Sequence, residues 1–403
     1  MIEISAFSLL ALFGVTIVVG YLGSLIFEKT KISDIIWLLL FGILIGPVFN
    51  LVDRGLFIAI SPFIASLALL IILFDAGLNI NFYQLVRGAP RGMLLAVLGF
   101  IIGVASVGGM AFYLFKFNLL TSLLLGSIVG GTSSPIVLSI ISKIKMNNRA
   151  KTMLTLESVF TDPLVIIVSI ALINIAIGTS IVSPIQSILS SFSIGAVIGL
   201  ILGIVWLFAL DVLKGKPFDY MMTLAILFLI YIGVEQTGGS GAIAALAFGL
   251  VLGNGGAFSR MLKLKKRFSI DYVMKTFQFE VTFFIRSFFF VYLGIIAIFN
   301  QAFLLYGILV AVVAVIIRIV VVEISTIGMR LSEHDRNIMS VVGPRGLAAA
   351  VLAQLTVNFG LPHAYMISNI VFVVIIASVL YTSFTTMILT RKRTKRNVKK
   401  RKH

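Results

Sequence analysis

Cysteine is absent from the 403 residues, which excludes disulfides and thiolate metal sites. Histidine is nearly absent as well. His334, His363 and His403 are the only three and do not cluster, and no nucleotide-binding loop is present, which argues against a soluble-type enzyme. Charge is sparse and one-sided, because charged residues make up 12% of the chain and 15 acidic side chains stand against 32 basic ones. No basic leader or small-residue cleavage site precedes the first apolar block, so Ala6 to Phe27 reads as a retained segment rather than a removable signal. No stretch is long enough for a soluble domain.

What the chain does contain is apolar sequence, 60% of the total, in blocks of roughly 20 residues that suit ~30 Å of hydrocarbon. The expected spans are 6–27, 34–48, 57–78, 92–115, 119–141, 152–177, 186–210, 219–234, 240–254, 276–298, 302–328, 338–358 and 364–390. This is an all-α polytopic membrane protein of about 13 transmembrane helices. A net charge of +17 would suggest nucleic acid for a soluble protein, but in membrane proteins Lys and Arg collect in cytoplasmic loops. With the N-terminus outside, the inside segments hold 27 of the 32 basic residues and the outside loops only Arg54 and Lys116. Residues 1–390 then form the transmembrane domain, and the tail from Arg391 to His403 is a basic cytoplasmic anchor near anionic lipid headgroups, not a nucleic-acid arm. The longest loop, 255–275, reads as an amphipathic inside connector.

Three basic residues remain within spans, Arg286, Arg318 and Arg345. The acids in or near spans are Asp75, Glu157, Asp162, Glu280 and Glu323. Charge in a bilayer is costly and marks a partner or a water-filled cavity. Glu280 and Glu323 read as interfacial or packing residues, and Arg286, in a run of phenylalanines, as structural. Two spans carry helix-breaking sequences, Gly130-Gly131-Thr132-Ser133-Ser134-Pro135 and Gly343-Pro344-Arg345-Gly346. A pair of broken helices crossing at mid-membrane is the pattern of a transporter built from inverted repeats.

The sixth span reads Leu156-Glu157-Ser158-Val159-Phe160-Thr161-Asp162-Pro163. Helical spacing brings Ser158, Thr161 and Asp162 to one face, with Glu157 one turn behind Thr161. Alkali cations are hard and take oxygen ligands. Asp162 and Ser158, with Thr132, Ser133 and Ser134 of the first break, supply such oxygens if the two elements cross. A carboxylate there binds either a monovalent metal cation or a proton, and that competition suffices for exchange. Arg318 is placed to keep Glu157 ionised, leaving Asp162 as the exchanging group. Arg345, at the second break, is placed to stabilise the crossing through carbonyls or helix C-terminal dipoles. Asp75, in Leu73-Phe74-Asp75-Ala76-Gly77-Leu78, divides evenly between a vestibule and a packing reading.

These residues resemble the NhaP-type sodium/proton antiporters of the monovalent cation:proton antiporter superfamily. The resemblance rests on the Leu156 to Pro163 motif, Gly343-Pro344-Arg345-Gly346, the Phe74 to Leu78 segment and the layout of spans. It implies that Asp162 binds cation or proton, that Glu157 and Ser158 join or support the site, that Arg318 pairs with Glu157, and that Arg345 matters for function. It also implies a homodimer whose six-helix core moves against a dimer domain in an elevator-like cycle. Two positions depart from the family pattern: Thr161 stands where many members have Asn, and Ser134 where many have a second aspartate. With one exchanging carboxylate, electroneutral exchange of one cation for one proton is expected. Na⁺ is the first candidate, with K⁺ and Li⁺ as alternatives, and no cofactor beyond the transported ions. The competing readings are a cation channel or uniporter, and an organic-anion symporter using Arg318 or Arg345 as a clamp.

Overall fold

The computed structural model describes residues 6–30, 33–80, 90–142, 144–178, 184–213, 219–261, 272–298 and 300–400. Among these the chain is all-helical, with seventeen α-helices, one π-helical turn and no strand. The helices are α1 (Ala6–Thr30), α2 (Asp34–Ile43, running into the π turn Leu44–Val48), α3 (Arg54–Ala59), α4 (Ser61–Asn79), α5 (Pro90–Tyr113) and α6 (Leu119–Val129). Next come α7 (Ser134–Ser142), α8 (Asn148–Ile177), α9 (Pro184–Leu213), α10 (Asp219–Gln236), α11 (Gly241–Gly253) and α12 (Gly255–Met261). The chain ends with α13 (Tyr272–Ile296), α14 (Gln301–Ser325), α15 (Glu333–Val341), α16 (Leu347–Asn358) and α17 (Ala364–Lys400).

Among the described residues, eight helical segments are long and apolar enough to cross a membrane, or nine if the bent pair α11 and α12 is one span. Four shorter apolar helices, Leu10–Ile26, Asp34–Val48, Tyr220–Gln236 and Leu347–Asn358, fall on further expected segments. Local chemistry moves several boundaries. Expected segment 57–78 divides into α3 and α4 at Ile60, two residues before Pro62, since Pro62 cannot donate to the preceding turn and sits instead in the first turn of α4, where no such donor is needed. α2 loosens into a π turn around Pro47 for the same missing donor. The twelfth segment starts early, at Glu333, because Ser332 caps α15 by accepting the Asp335 N–H at 3.1 Å. The expected connector 255–275 begins instead as a helix, α12, bent 82° from α11. At that bend Asn254 Nδ2 donates to the Leu250 carbonyl at 2.9 Å and to the Ile80 carbonyl at 2.7 Å. The rest of that connector and residues 401–403 lie outside the described residues.

The chain divides into two compact units. Unit 2 comprises 63–88 and 170–286. In it Phe74 stacks on Phe248 at 5.7 Å, and a Cβ at Gly249 would overlap the Phe74 carbonyl, so this glycine is what lets α4 and α11 approach backbone to backbone. Ser240 caps α11 by accepting the Ile243 N–H, while Glu235 Oε1 accepts the Gly241 N–H at 2.7 Å. Unit 1 comprises 1–62, 89–169 and 287–403. It contains both broken helices and the 157–162 motif.

Candidate functional site

In unit 1 the two interruptions meet. α6, capped by Asn118 on the Thr121 N–H at 2.8 Å, ends at Val129 where Gly130-Gly131 follow, and the chain re-enters helix at Ser134 with Pro135 in the first turn. α15 ends at Val341, Pro344 blocks its continuation, and α16 starts at Leu347. The Ser133 N–H of the first break donates to the Pro344 carbonyl of the second at 2.8 Å. Arg345 spans the same junction: its Nε donates to the Val129 carbonyl at 2.9 Å and its Nη1 to the Gly343 carbonyl at 2.6 Å. Those are the C-terminal ends of α6 and α15, each carrying about half a negative charge. One buried guanidinium therefore meets two orphaned helix ends. Arg345 is further fixed by its N–H on Ser378 Oγ at 3.0 Å.

At Gly346 a Cβ would occupy the volume of the Ser133 side chain. Gly346→Ala is expected to cost about 1–3 kcal/mol by overpacking and to lower the melting midpoint in detergent. Ser133→Gly in the same chain returns that volume and recovers part of the loss; a double variant as unstable as the sum of its singles would show that the crossing is not joined there.

The motif on α8 faces this junction. Asp162 Oδ2 accepts from both Ser134 Oγ at 2.6 Å and the Ser134 N–H at 3.2 Å. Ser134 opens α7, so the carboxylate lies at a helix N-terminus, where negative charge is favoured. Ser134 Oγ also sits 2.7 Å from the Ser158 carbonyl. One hydroxyl carries one hydrogen and serves these two acceptors by turns. One turn along, Thr161 Oγ1 accepts the Thr132 N–H at 3.1 Å and meets Thr132 Oγ1 at 3.2 Å. Ser158, fully buried, donates to the Thr155 carbonyl at 3.1 Å. Behind this face Glu157 forms a buried ion pair with Arg318 Nη1, and Arg318 Nε donates to the Met339 carbonyl at 2.9 Å. Glu157, Ser158, Thr161, Thr132 and Ser133 are all buried, whereas Asp162 and Ser134 are half-buried. The exposed edge of the cluster is thus the Asp162 carboxylate and the serine bound to it.

The structure thus brings Asp162, Ser134, Ser158, Thr161, Thr132, Glu157 and Arg318 together. Ser133 points to the second break instead. Asp75 belongs to unit 2, where Asn79 Nδ2 donates to its carbonyl at 2.8 Å and to its Oδ1 at 3.2 Å. Arg286, also in unit 2, lies over the Phe283 ring at 5.9 Å. Glu323 pairs with Arg336 at 3.3 Å and Glu280 is exposed, both in keeping with the peripheral reading.

A second polar cluster was not anticipated. Ser61 Oγ accepts from Tyr292 Oη at 2.5 Å and from Gln354 Nε2 at 2.7 Å, and donates to Asn358 Oδ1 at 2.8 Å. Its sequence signal was Gln354 and Asn358, four residues apart on an otherwise apolar helix.

A family model described as sodium/hydrogen exchanger, transmembrane, matches residues 14–392. The chain belongs to that family. Similar proteins within the exchanger family are the K⁺/H⁺ antiporter NhaP2 of Shewanella baltica, 29% identical over 79% of this chain and 55% of its own length, and the Na⁺/H⁺ antiporter 1 of Methanocaldococcus jannaschii, 26% identical over 84% of this chain and 81% of its own. The chain spans about half the length of the Shewanella relatives it matches. The fold is that of the sodium proton antiporter MjNhaP1 of Methanocaldococcus jannaschii, solved at pH 8, with a TM-score of 0.79 at 23% identity covering 95% of this chain and 98% of that one.

Proposed function

We propose that this exchanger-family chain carries out antiport of a monovalent cation against H⁺ by alternating access to one site centred on Asp162. The observation that carries the reading is the Asp162–Ser134 contact at the N-terminus of α7, which sets a half-buried carboxylate beside hydroxyl and carbonyl oxygens. Among the described residues no three acids or imidazoles gather, and a donor set of one carboxylate with neutral oxygens suits a single positive charge rather than a divalent ion. Glu157, neutralised by Arg318, adds no second binding charge. Asp162 then holds either a cation or a proton, each carrying one charge, and exchange is electroneutral. Ser158, Thr161 and Thr132 complete or brace the oxygen cage, and Ser133 and Arg345 brace the junction.

The names of the relatives support antiport and leave two cations in play, K⁺ for NhaP2 and Na⁺ for antiporter 1. Ser134, where many members have aspartate, gives a weaker field that discriminates little among Na⁺, K⁺ and Li⁺, with Na⁺ kept as the first candidate. The basic-residue count supports a cell-membrane protein with its N-terminus outside and its basic tail inside, and we extend the reading to inverted repeats and a homodimer in lipid that serves cytoplasmic pH homeostasis. Purified protein in proteoliposomes with an imposed pH gradient is expected to show proton flux dependent on Na⁺, K⁺ or Li⁺ and indifferent to a clamped membrane potential. Current at zero pH gradient without proton coupling would identify a channel instead and overturn the proposal.

A further inference from the structure

Behind the Glu157–Arg318 pair lies a cavity of about 10 Å³ lined by Arg318, Arg345, Ser340, Ser378, Tyr381 and Thr382, room for one water-sized particle or monatomic ion. Both charged residues of its lining are guanidiniums, and no carboxylate reaches it. Arg318 is 7% exposed and its Nη2 has no hydrogen-bond partner among the described residues, although Nε and Nη1 are both engaged. Leaving a buried charged donor unmet costs more than the ~1–3 kcal/mol of a neutral one, so the cavity is where that donor finds its acceptor. The hydroxyls of Ser340, Ser378 and Thr382 each donate outward to a main-chain carbonyl.

Buried hydroxyls continue beyond this cavity along two helices. Ser378, Thr382, Thr386 and Thr390 recur every fourth residue along α17, a stripe of about 18 Å at 1.5 Å per residue. The first three are at most 5% exposed. Thr386 Oγ1, and Ser325 Oγ on α14 seven residues beyond Arg318, are buried without partners among the described residues. The stripe ends where the basic sequence from Arg391 begins. Fixed guanidiniums exclude protons and metal cations from a narrow polar passage and favour anions. This cavity therefore lies off the route of the exchanged cations.

We propose that the Arg318–Arg345 cavity binds one small monovalent inorganic anion of chloride size, which accepts from Arg318 Nη2. Room for about one water-sized particle suits a monatomic anion rather than phosphate, a carboxylic acid or a lipid headgroup. A chloride there fixes the free edge of Arg318 and with it the position of Glu157, so it acts on exchange without being exchanged.

The test uses the full chain in detergent, with its melting midpoint followed while sodium gluconate is replaced by sodium chloride at constant ionic strength and pH, together with a structure determined in bromide with anomalous data. Expected are a saturable upward shift in chloride and a bromide peak within contact of Arg318 Nη2. The shift is expected to vanish in Ala314→Leu, which fills the cavity from α14 and exchanges ions in gluconate as the parent does. Equal midpoints in the two salts, water alone at the cavity in the bromide structure, or a chloride shift that survives in Ala314→Leu would overturn the proposal. The melting and diffraction measurements do not depend on transport, so failure of the antiport reading and failure of the anion site are separable.

Discussion

Replacement of Asp162 by asparagine is expected to bring cation-dependent proton flux down to the level of protein-free liposomes while the protein still folds. Asparagine is nearly isosteric, and its amide oxygen accepts from Ser134 Oγ and the Ser134 N–H as Oδ2 does at 2.6 and 3.2 Å. What disappears is the charge, and with it the ability to be neutralised alternately by a cation and a proton. The stability cost is the lost attraction between a carboxylate and a helix N-terminus, about 0.3–1 kcal/mol and up to ~2 kcal/mol in a partly buried setting. A second variant, Asp162→Glu, keeps the charge but moves it by one methylene, and partial exchange is expected. Flux measurement on both, with melting curves to show that each is folded, decides the assignment. Undiminished flux in the asparagine variant would remove the site from Asp162 and pass the question to Asp75.

Much of this arrangement was legible from residue type and spacing. The two interruptions follow from Gly130-Gly131 and Pro135 in one helix and from Gly343-Pro344 in the other, because glycine and proline act locally. Convergence of Ser158, Thr161 and Asp162 follows from helical spacing alone. The pairing of Glu157 with Arg318 followed from the cost of leaving either charge alone in an apolar surround. Less legible were features set by contacts between distant segments. Ser133, read with Thr132 and Ser134 as a source of ligand oxygens, donates its N–H to Pro344, 211 positions away, so its direction is decided by a tertiary backbone contact that no periodicity encodes. The Ser61, Tyr292, Gln354 and Asn358 cluster gathers one polar residue from each of two helices and two from a third, each of which alone passes for a packing hydroxyl or amide. The bend between α11 and α12 depends on Asn254 reaching the Ile80 carbonyl, and sequence offered only a basic stretch that resembled a loop. The cavity is likewise invisible in sequence, because it consists of what Arg318 fails to touch.

The Arg318–Glu157 pair should show the largest stability effects in the chain. Glu157 is 3% exposed and Arg318 7%, so removal of the arginine in Arg318→Leu leaves a carboxylate buried without its counter-charge, a loss of about 3–5 kcal/mol. The same change frees the Met339 carbonyl that Nε now engages, loosening the last turn of α15 just ahead of the second break. Glu157→Gln alone leaves the opposite orphan, an unmatched guanidinium close to that of Arg345. Combining the two substitutions removes both charges at once, and a buried pair replaced by neutral groups is often nearly neutral in stability. The double variant is therefore expected to melt well above Arg318→Leu and above the sum of the two single losses, a positive coupling that a double-mutant cycle measures directly. Exchange separates the structural part from the functional part. If Glu157 only braces α8, the double variant recovers transport along with its melting midpoint; if its charge shapes the cation cage, stability returns and transport stays low. Additive losses in the cycle would show that the two side chains do not act as a pair, and would remove the ground for treating Asp162 as the single exchanging charge.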